Sequence, residues 1–127
     1  MKKLFQILMM VSIVLMVTSC YNDQLPAVPL PANVSFAKNM QPLFNKNCIG
    51  CHNGAQAPNL TAGNSYTALT TLNKDGEYFV TAGDAPGSIL YQALIGKGAP
   101  QMPANGAMSA SKIAIVEKWI NDGALNN

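Results

Sequence analysis

The sequence predicts a mostly α domain of three to four short helices joined by long loops. Two stretches carry apolar residues at helical spacing, and they begin near Ser35 and near Ser109. Between them lie shorter helical candidates and one strand-like stretch, residues 78–80, which cannot form a sheet by itself. A small domain with so much loop buries a low fraction of its surface. We therefore expect a group other than protein to complete its core.

The first and last helices of the domain have clear sequence signals. Ser35 is a favourable N-cap for the first helix, and Pro42 should kink this helix or end its first part. Ser109 is the candidate N-cap of the last helix, and Gly123 is its natural stop. The apolar residues that share one face in each helix are Phe36, Met40, Leu43 and Phe44 in the first, and Ile113, Ile115, Val116, Trp119 and Ile120 in the last.

Two shorter helices are predicted between these. The first covers residues 64–72 and has a cap-like start at Asn64. The second covers residues 86–96, with Ser88 as its N-cap and Gly96 as its terminator. Because this second segment is apolar nearly all round, we expect it to be buried.

The N-terminal residues 1–19 have the pattern of a secretory signal. Lys2 and Lys3 precede an apolar run over residues 4–17, and small residues lead to Cys20. This run is too short to span a membrane, which takes roughly 20 apolar residues. The stretch VTSC resembles the lipobox of bacterial lipoproteins, in which the cysteine becomes the first mature residue and carries acyl chains. The alternative is ordinary cleavage that leaves a free thiol at Cys20.

The resemblance to lipoproteins implies an exported protein, anchored to a membrane through Cys20 and facing the periplasm or the cell surface. Residues 20–34 would be a lipidated N-terminus followed by a stiff proline-rich linker, and residues 35–127 would form the domain. Two of the eight lysines lie in the signal, which leaves six lysines and six acidic residues. This balance leaves no basic patch, so nucleic acid is not an expected partner.

The stretch CIGCH at residues 48–52 carries two of the three cysteines and the only histidine. Its C-x-x-C-H spacing is typical of a site for covalent attachment of c-type haem. Two thiols one helical turn apart can add to the two vinyl groups of one porphyrin edge. We therefore expect Cys48 and Cys51 to bind haem covalently and His52 to be the proximal iron ligand. A carbonyl of Pro58 or Leu60 is the candidate group that orients the imidazole.

Three other sites could use the same residues. A thioredoxin-like redox pair needs a strand before the motif in a βαβ setting, whereas the preceding segment has helical spacing. A structural zinc site usually needs four Cys or His ligands, and with Cys20 acylated only three remain. A simple disulfide between Cys48 and Cys51 suits an exported protein, but it gives His52 no role.

The sixth iron ligand has to be a residue other than histidine, since His52 is the only one. Methionine is the other common ligand in electron-carrying cytochromes. Met40 lies on the apolar face of the first helix, where a core position is expected. Met108 precedes the last helix and can pack on Ile113 as a hydrophobic staple.

Met102 has no comparable structural role. It lies between Pro100 and Pro103, which restrict the backbone on both sides. We therefore expect Met102 to be the distal iron ligand, with Met108 as the second choice and Lys97 as the third. Methionine ligation favours reduced iron and closes the sixth position.

Three segments together resemble a small class I cytochrome c domain: CIGCH, GSILYQALIGKGAPQMP and MSASKIAIVEKWINDGA. The resemblance covers residues 35–124. Over this range the sequence is similar to monohaem domains of bacterial lipoproteins and of planctomycete-type multidomain proteins. It implies a class I cytochrome c-like fold around one covalent haem c, with the first and last helices crossing beside it. Phe36, Met40 or Phe44 would then meet Trp119 and Ile120.

By this resemblance Cys48 and Cys51 carry the thioethers, His52 is the proximal ligand and Met102 is the distal ligand. The predicted function is that of a membrane-tethered single-electron carrier between redox protein partners, and not of an enzyme. One alternative is a haem sensor or minor peroxidase, in which the glycine-rich loop around Met102 releases the sixth ligand. Another is a thiol-redox lipoprotein without haem.

Overall fold

The computed structural model describes residues 29–127. The predicted signal over residues 1–19, the candidate lipidation site Cys20 and the linker up to residue 28 lie outside the described residues. Residues 29–34 form no helix or strand, so regular structure begins after Ser35. In the described part of the chain, no helix has the length and apolar character that a membrane span requires.

Residues 29–127 form one π-helical segment, four α-helices and no β-strand. The π-helical segment spans Phe36–Met40 and continues directly into α1, Gln41–Asn47. The other helices are α2, Ser65–Thr70, α3, Ile89–Ile95, and α4, Ala110–Asn121. The predicted fold class, mostly α with short helices and long loops, is confirmed.

The first helix begins with a wide turn because Pro42 follows it. Proline has no N–H to donate, and its ring clashes with the carbonyl four residues back in a regular α-helix. The N–H of Gln41 donates to the carbonyl of Phe36, five residues back, which is the spacing of a π turn. Ser35 caps this helix as predicted, because its Oγ accepts from the N–H of Lys38 at 3.3 Å.

An aromatic cluster joins the first helix to the last. The ring centroid of Phe36 lies 5.4 Å from that of Trp119, 6.2 Å from that of Phe44 and 5.2 Å from that of Tyr66. Such pairs add to the stabilisation from buried area. The contact expected between the two helices is thus confirmed. The other buried apolar side chains are Val34, Met40, Leu43, Leu60, Leu69, Val80, Ala85, Leu94, Met108, Val116, Ile120 and Ala124.

Leu125 and Asn127, after α4, form hydrogen bonds with the same two helices. The indole N–H of Trp119 donates to the carbonyl of Leu125 at 3.0 Å. The side-chain oxygen of Asn127 accepts from the N–H of Phe36 at 2.8 Å, and its main-chain oxygen accepts from the N–H of Ala37 at 2.9 Å. These bonds supply acceptors for the free N–H groups at the start of the first helix.

The region between α2 and α3 differs from the expectation of a strand. Of residues 78–80 only Tyr78 pairs with another residue, in an isolated antiparallel bridge to Leu72. A second isolated bridge joins Thr81 to Asp84. The predicted helix over residues 64–72 is shorter in the structure. Asn64 is its N-cap residue as predicted but makes no side-chain capping bond, and its amide nitrogen donates to Thr61 Oγ1 at 3.0 Å.

Ser88 and Ser109 occupy the predicted N-cap positions of α3 and α4, but neither hydroxyl accepts a bond from a helix N–H group. Ser88 is fully buried, where its Oγ accepts from the N–H of Thr81 at 2.9 Å and donates to the carbonyl of Asp84 at 2.7 Å. The Oγ of Ser109 lies 3.1 Å from that of Ser111. Partners two to seven residues away in the chain thus replace the bonds to the helix N–H groups. The ends were predicted correctly, because Gly96 and Gly123 stop α3 and α4 with φ angles of 63° and 101°.

Helix α3 is less buried than its apolar sequence predicts. Leu94 is its one buried residue, whereas Leu90, Tyr91 and Ile95 are half-buried. The polypeptide therefore leaves part of this apolar face accessible.

Replacement of Phe36 by alanine should lower the free energy of unfolding of the haem-loaded protein by about 3–5 kcal/mol. The reason is that Phe36 is buried at the centre of the aromatic cluster. Leu72→Ala, at a side chain that is 57% exposed, should change it by no more than about 0.5 kcal/mol. Denaturant unfolding followed by circular dichroism measures both, and equal losses would contradict this account of the core.

Candidate functional site

The CIGCH motif continues the first helix as one further turn. The N–H of Cys48 donates to the carbonyl of Phe44 at 2.9 Å, which extends the helical pattern past Asn47. The N–H groups of Cys51 and His52 then donate to the carbonyl of Cys48 at 3.2 and 3.0 Å. This places the two cysteines and the histidine on one tight turn, as the spacing predicts.

The two thiols are in different environments. Cys48 is half-buried, Cys51 is exposed, and neither forms a disulfide among the described residues. Burial raises the pKa of the Cys48 thiol to about 11. Redox-active cysteines instead have a lowered thiol pKa, because the thiolate is the reactive form. The environment of Cys48, and the helix that precedes it, therefore do not fit a thioredoxin-like site.

Both main-chain polar groups of His52 form hydrogen bonds. Its N–H bonds to Cys48, and its carbonyl accepts from the N–H of Leu60 at 2.7 Å. Its Nδ1 is buried without a hydrogen-bond partner among the described residues. The expected bond from this nitrogen to a carbonyl of Pro58 or Leu60 is therefore not formed. The Leu60 carbonyl instead accepts from Gln41 Nε2 at 3.1 Å.

Gln41 is a residue of this site that the sequence interpretation missed. Its side chain connects α1 to Leu60, and its Oε1 also accepts from the hydroxyl of Ser65 at the start of α2. In the sequence it appears only as a polar residue opposite the apolar face of the first helix. The one available signal was Asn45 four residues later, whose Oδ1 accepts from Gln41 Nε2 at 2.8 Å.

Met102 lies in a loop that is fastened to the end of α3. Its N–H donates to the carbonyl of Ala93 at 2.8 Å, and the side-chain amide of Gln101 donates to the carbonyl of Leu94 at 3.0 Å. The Met102 side chain is half-buried. Lys97, in the same loop, is exposed. The loop thus has a defined backbone position although it forms no helix or strand.

The other two candidate methionines are packed in the core. Met40 is fully buried, and Met108 is 8% exposed. Met108 belongs to the core cluster, and Ile113 packs against that cluster. Both side chains therefore have structural roles in the polypeptide itself.

The first turn of α4 lies beside the motif. The ammonium group of Lys112 donates to Asn47 Oδ1 at 3.1 Å, and the Asn47 amide donates to the carbonyl of Leu43. This bond connects the last helix to the residue that immediately precedes Cys48. It places the turn with the cysteines next to both terminal helices.

Apolar side chains that are only half-buried pack against the core at several places in the domain, among them Cys48 and Ile49 of the motif. A flat, largely apolar macrocycle is a group that could cover such surface, and the two free thiols and the imidazole match the donor set of haem c. The described residues therefore fit this cofactor. The half-buried apolar side chains that pack against the core are Cys48, Ile49, Tyr66, Phe79, Leu90, Tyr91, Ile113 and Ile115.

The domain has a cavity whose described lining includes no residue of the C-x-x-C-H motif. It has a volume of about 290 Å³ and is lined by residues that include Gln41, Ser65 and Tyr66. Among residues 29–127, no three His, Cys, Asp or Glu side chains lie together as a metal-binding group.

The helical fold and the C-x-x-C-H turn define a small monohaem domain of the class I cytochrome c type. Comparison with protein families agrees, since residues 36–120 match the family described as cytochrome c oxidase, cbb3-type, subunit III. The chain belongs to this family of cytochrome c domains, which bind haem c covalently, and it is a c-type haem electron carrier. No curated protein and no solved structure gives a significant match to the chain.

Proposed function

We propose that this domain is a single-electron carrier in which Cys48 and Cys51 hold haem as thioethers and His52 and Met102 ligate the iron. The observation that carries the proposal is the tight turn that brings both thiols and the only histidine together at the end of the first helix. The haem, when bound, supplies the one-electron chemistry. The polypeptide attaches it, orients it and restricts access of water.

Met102 is favoured over Met108 as the distal ligand because the two side chains differ in burial. Met108 is buried in the core, so withdrawing it to reach iron would leave a cavity. Met102 is half-buried, and its loop is held to α3 through Ala93. A thioether at this place would favour reduced iron and close the sixth position.

The anchored loop also bears on the alternative of a haem sensor or minor peroxidase. That alternative requires a distal ligand that leaves the iron readily. The bonds of Met102 to Ala93 and of Gln101 to Leu94 restrain the loop at its base. They support a permanently closed site, and hence an electron carrier without an enzymatic activity of its own.

A membrane tether through an acylated Cys20 is part of the same proposal. Its support is the sequence pattern of residues 1–20, in which a short apolar run ends in VTSC. Acyl chains would hold the carrier at a membrane surface on the exported side. Its partners would then be redox proteins of the same compartment.

Exported protein should contain one covalent haem, with c-type absorption bands in the reduced-minus-oxidised spectrum and a methionine–iron charge-transfer band when oxidised. The mass of the purified mature chain should include one haem and the acyl groups on Cys20. A Cys20→Ala variant should keep the haem and lose the acyl mass. The absence of covalent haem from the wild-type protein would contradict the proposed function.

Met102→Ala should abolish the charge-transfer band and lower the reduction potential, because axial ligands set haem potentials over a range of roughly 0.8 V. Met108→Ala is the matched control. It should keep the band but lower the free energy of unfolding by about 2–5 kcal/mol, because Met108 is buried. If the band disappears only in Met108→Ala, the assignment of the distal ligand is wrong.

Protein produced without haem attachment should be largely unfolded by circular dichroism. The small core, with apolar side chains that stay half-buried against it, supports a contribution of the cofactor to folding. The haem-loaded protein under identical conditions provides the control. A cooperative thermal transition in the haem-free chain, with helical content equal to that of the loaded protein, would be evidence against this role of haem.

A further inference from the structure

Gln41 forms a junction between three segments of the domain. Its Nε2 donates to the carbonyl of Leu60 at 3.1 Å and to Asn45 Oδ1 at 2.8 Å, and its Oε1 accepts from the hydroxyl of Ser65. Both polar atoms of the amide are thus engaged. Leu60 and Ser65 are 3% and 1% exposed, so the inner side of the junction is shielded from water. Partners left unsatisfied at such a place are costly.

Leu60 connects this junction to the histidine. Its N–H donates to the carbonyl of His52 at 2.7 Å, while the N–H of His52 donates to Cys48 at 3.0 Å. These two bonds fix the main chain on either side of the imidazole. Since Nδ1 is buried without a partner among the described residues, no described bond fixes the ring directly. The orientation of the ring therefore depends on the main-chain bonds.

We propose that Gln41 is a positioning residue for His52, and that it acts through Leu60. Gln41 holds the carbonyl of Leu60, and the N–H of Leu60 holds the carbonyl of His52. The imidazole would thereby be held in one orientation toward a bound haem. This inference rests on the proposed ligation of iron by His52. Outer groups that orient a metal-bound histidine commonly affect the properties of the metal when they are removed.

The test uses Gln41→Met in the haem-loaded protein, because methionine keeps the length of the side chain and removes its hydrogen bonds. Gln41→Glu is the second variant, since it can still accept from Ser65 but, as a carboxylate, cannot donate to Leu60. Both variants should speed hydrogen exchange of the Leu60 amide by about fivefold or more. Both should also change the spread of the haem methyl resonances of the oxidised protein, which responds to the orientation of the axial imidazole.

Asn45→Ala is the matched control, because it removes the outer bond of Gln41 and leaves the bonds to Leu60 and Ser65. This variant should keep wild-type Leu60 exchange and wild-type haem methyl resonances. A change confined to the Gln41 variants supports the proposal. The proposal is overturned if those variants have a lower Tm but wild-type haem resonances, or if Asn45→Ala changes the resonances equally.

Measurements on the wild-type protein show whether this inference fails alone or the proposed function fails as well. Wild-type protein without covalent haem would overturn both. Wild-type protein with haem and a methionine–iron band, together with Gln41 variants whose resonances are unchanged, would overturn the positioning role alone.

Discussion

The packing of the first helix against the last is the contact on which the position of the C-x-x-C-H turn depends. Phe36 and Trp119 meet at its centre, and the chain end reinforces the contact by bonding the start of the first helix to residues beyond α4. Because the C-x-x-C-H turn follows α1 without a break, the same packing fixes the position of the cysteines. Lys112 then connects α4 to the residue before the motif. Fold and site therefore share one framework, and loss of core packing would also displace the haem-binding residues.

The two sides of the proposed haem site are supported in different ways. The proximal side is a helical turn whose hydrogen bonds are local, with a loop over residues 53–59 closed by the bond from Leu60 to His52. The distal side is an irregular loop, and its position comes from bonds to the end of α3 through Met102 and Gln101. Residues 29–127 thus hold the C-x-x-C-H turn and the Met102 loop in place without a sheet. A covalent cofactor adds apolar contacts that so small a protein core lacks.

The sequence was most informative where the governing interactions are local. The apolar face of the first helix and the glycine stops at Gly96 and Gly123 depend on neighbouring residues, and each was predicted. For Pro42 the prediction was a kink or an end of the first part of the helix, whereas the structure has a π turn before it. The serines at the starts of α3 and α4 were placed correctly but do not form the expected capping bonds, because a hydroxyl can bond to any partner that the fold provides. Ser88 bonds to Thr81 and Asp84, and no local pattern distinguishes this from capping. The burial of α3 was overestimated, since the sequence predicts an apolar surface but not what covers it.

By itself, the sequence determined the mostly α class, the family resemblance and the turn that carries Cys48, Cys51 and His52, because covalent spacing within one turn does not depend on distant residues. Only the tertiary structure decided that Met108 is buried while Met102 is half-buried, and that the Leu60 carbonyl is bound by Gln41 and does not accept from the imidazole. The physical reason is that both outcomes depend on contacts between segments far apart in the chain. Such contacts are set by the packing of the whole domain, which helical periodicity and motif spacing do not specify.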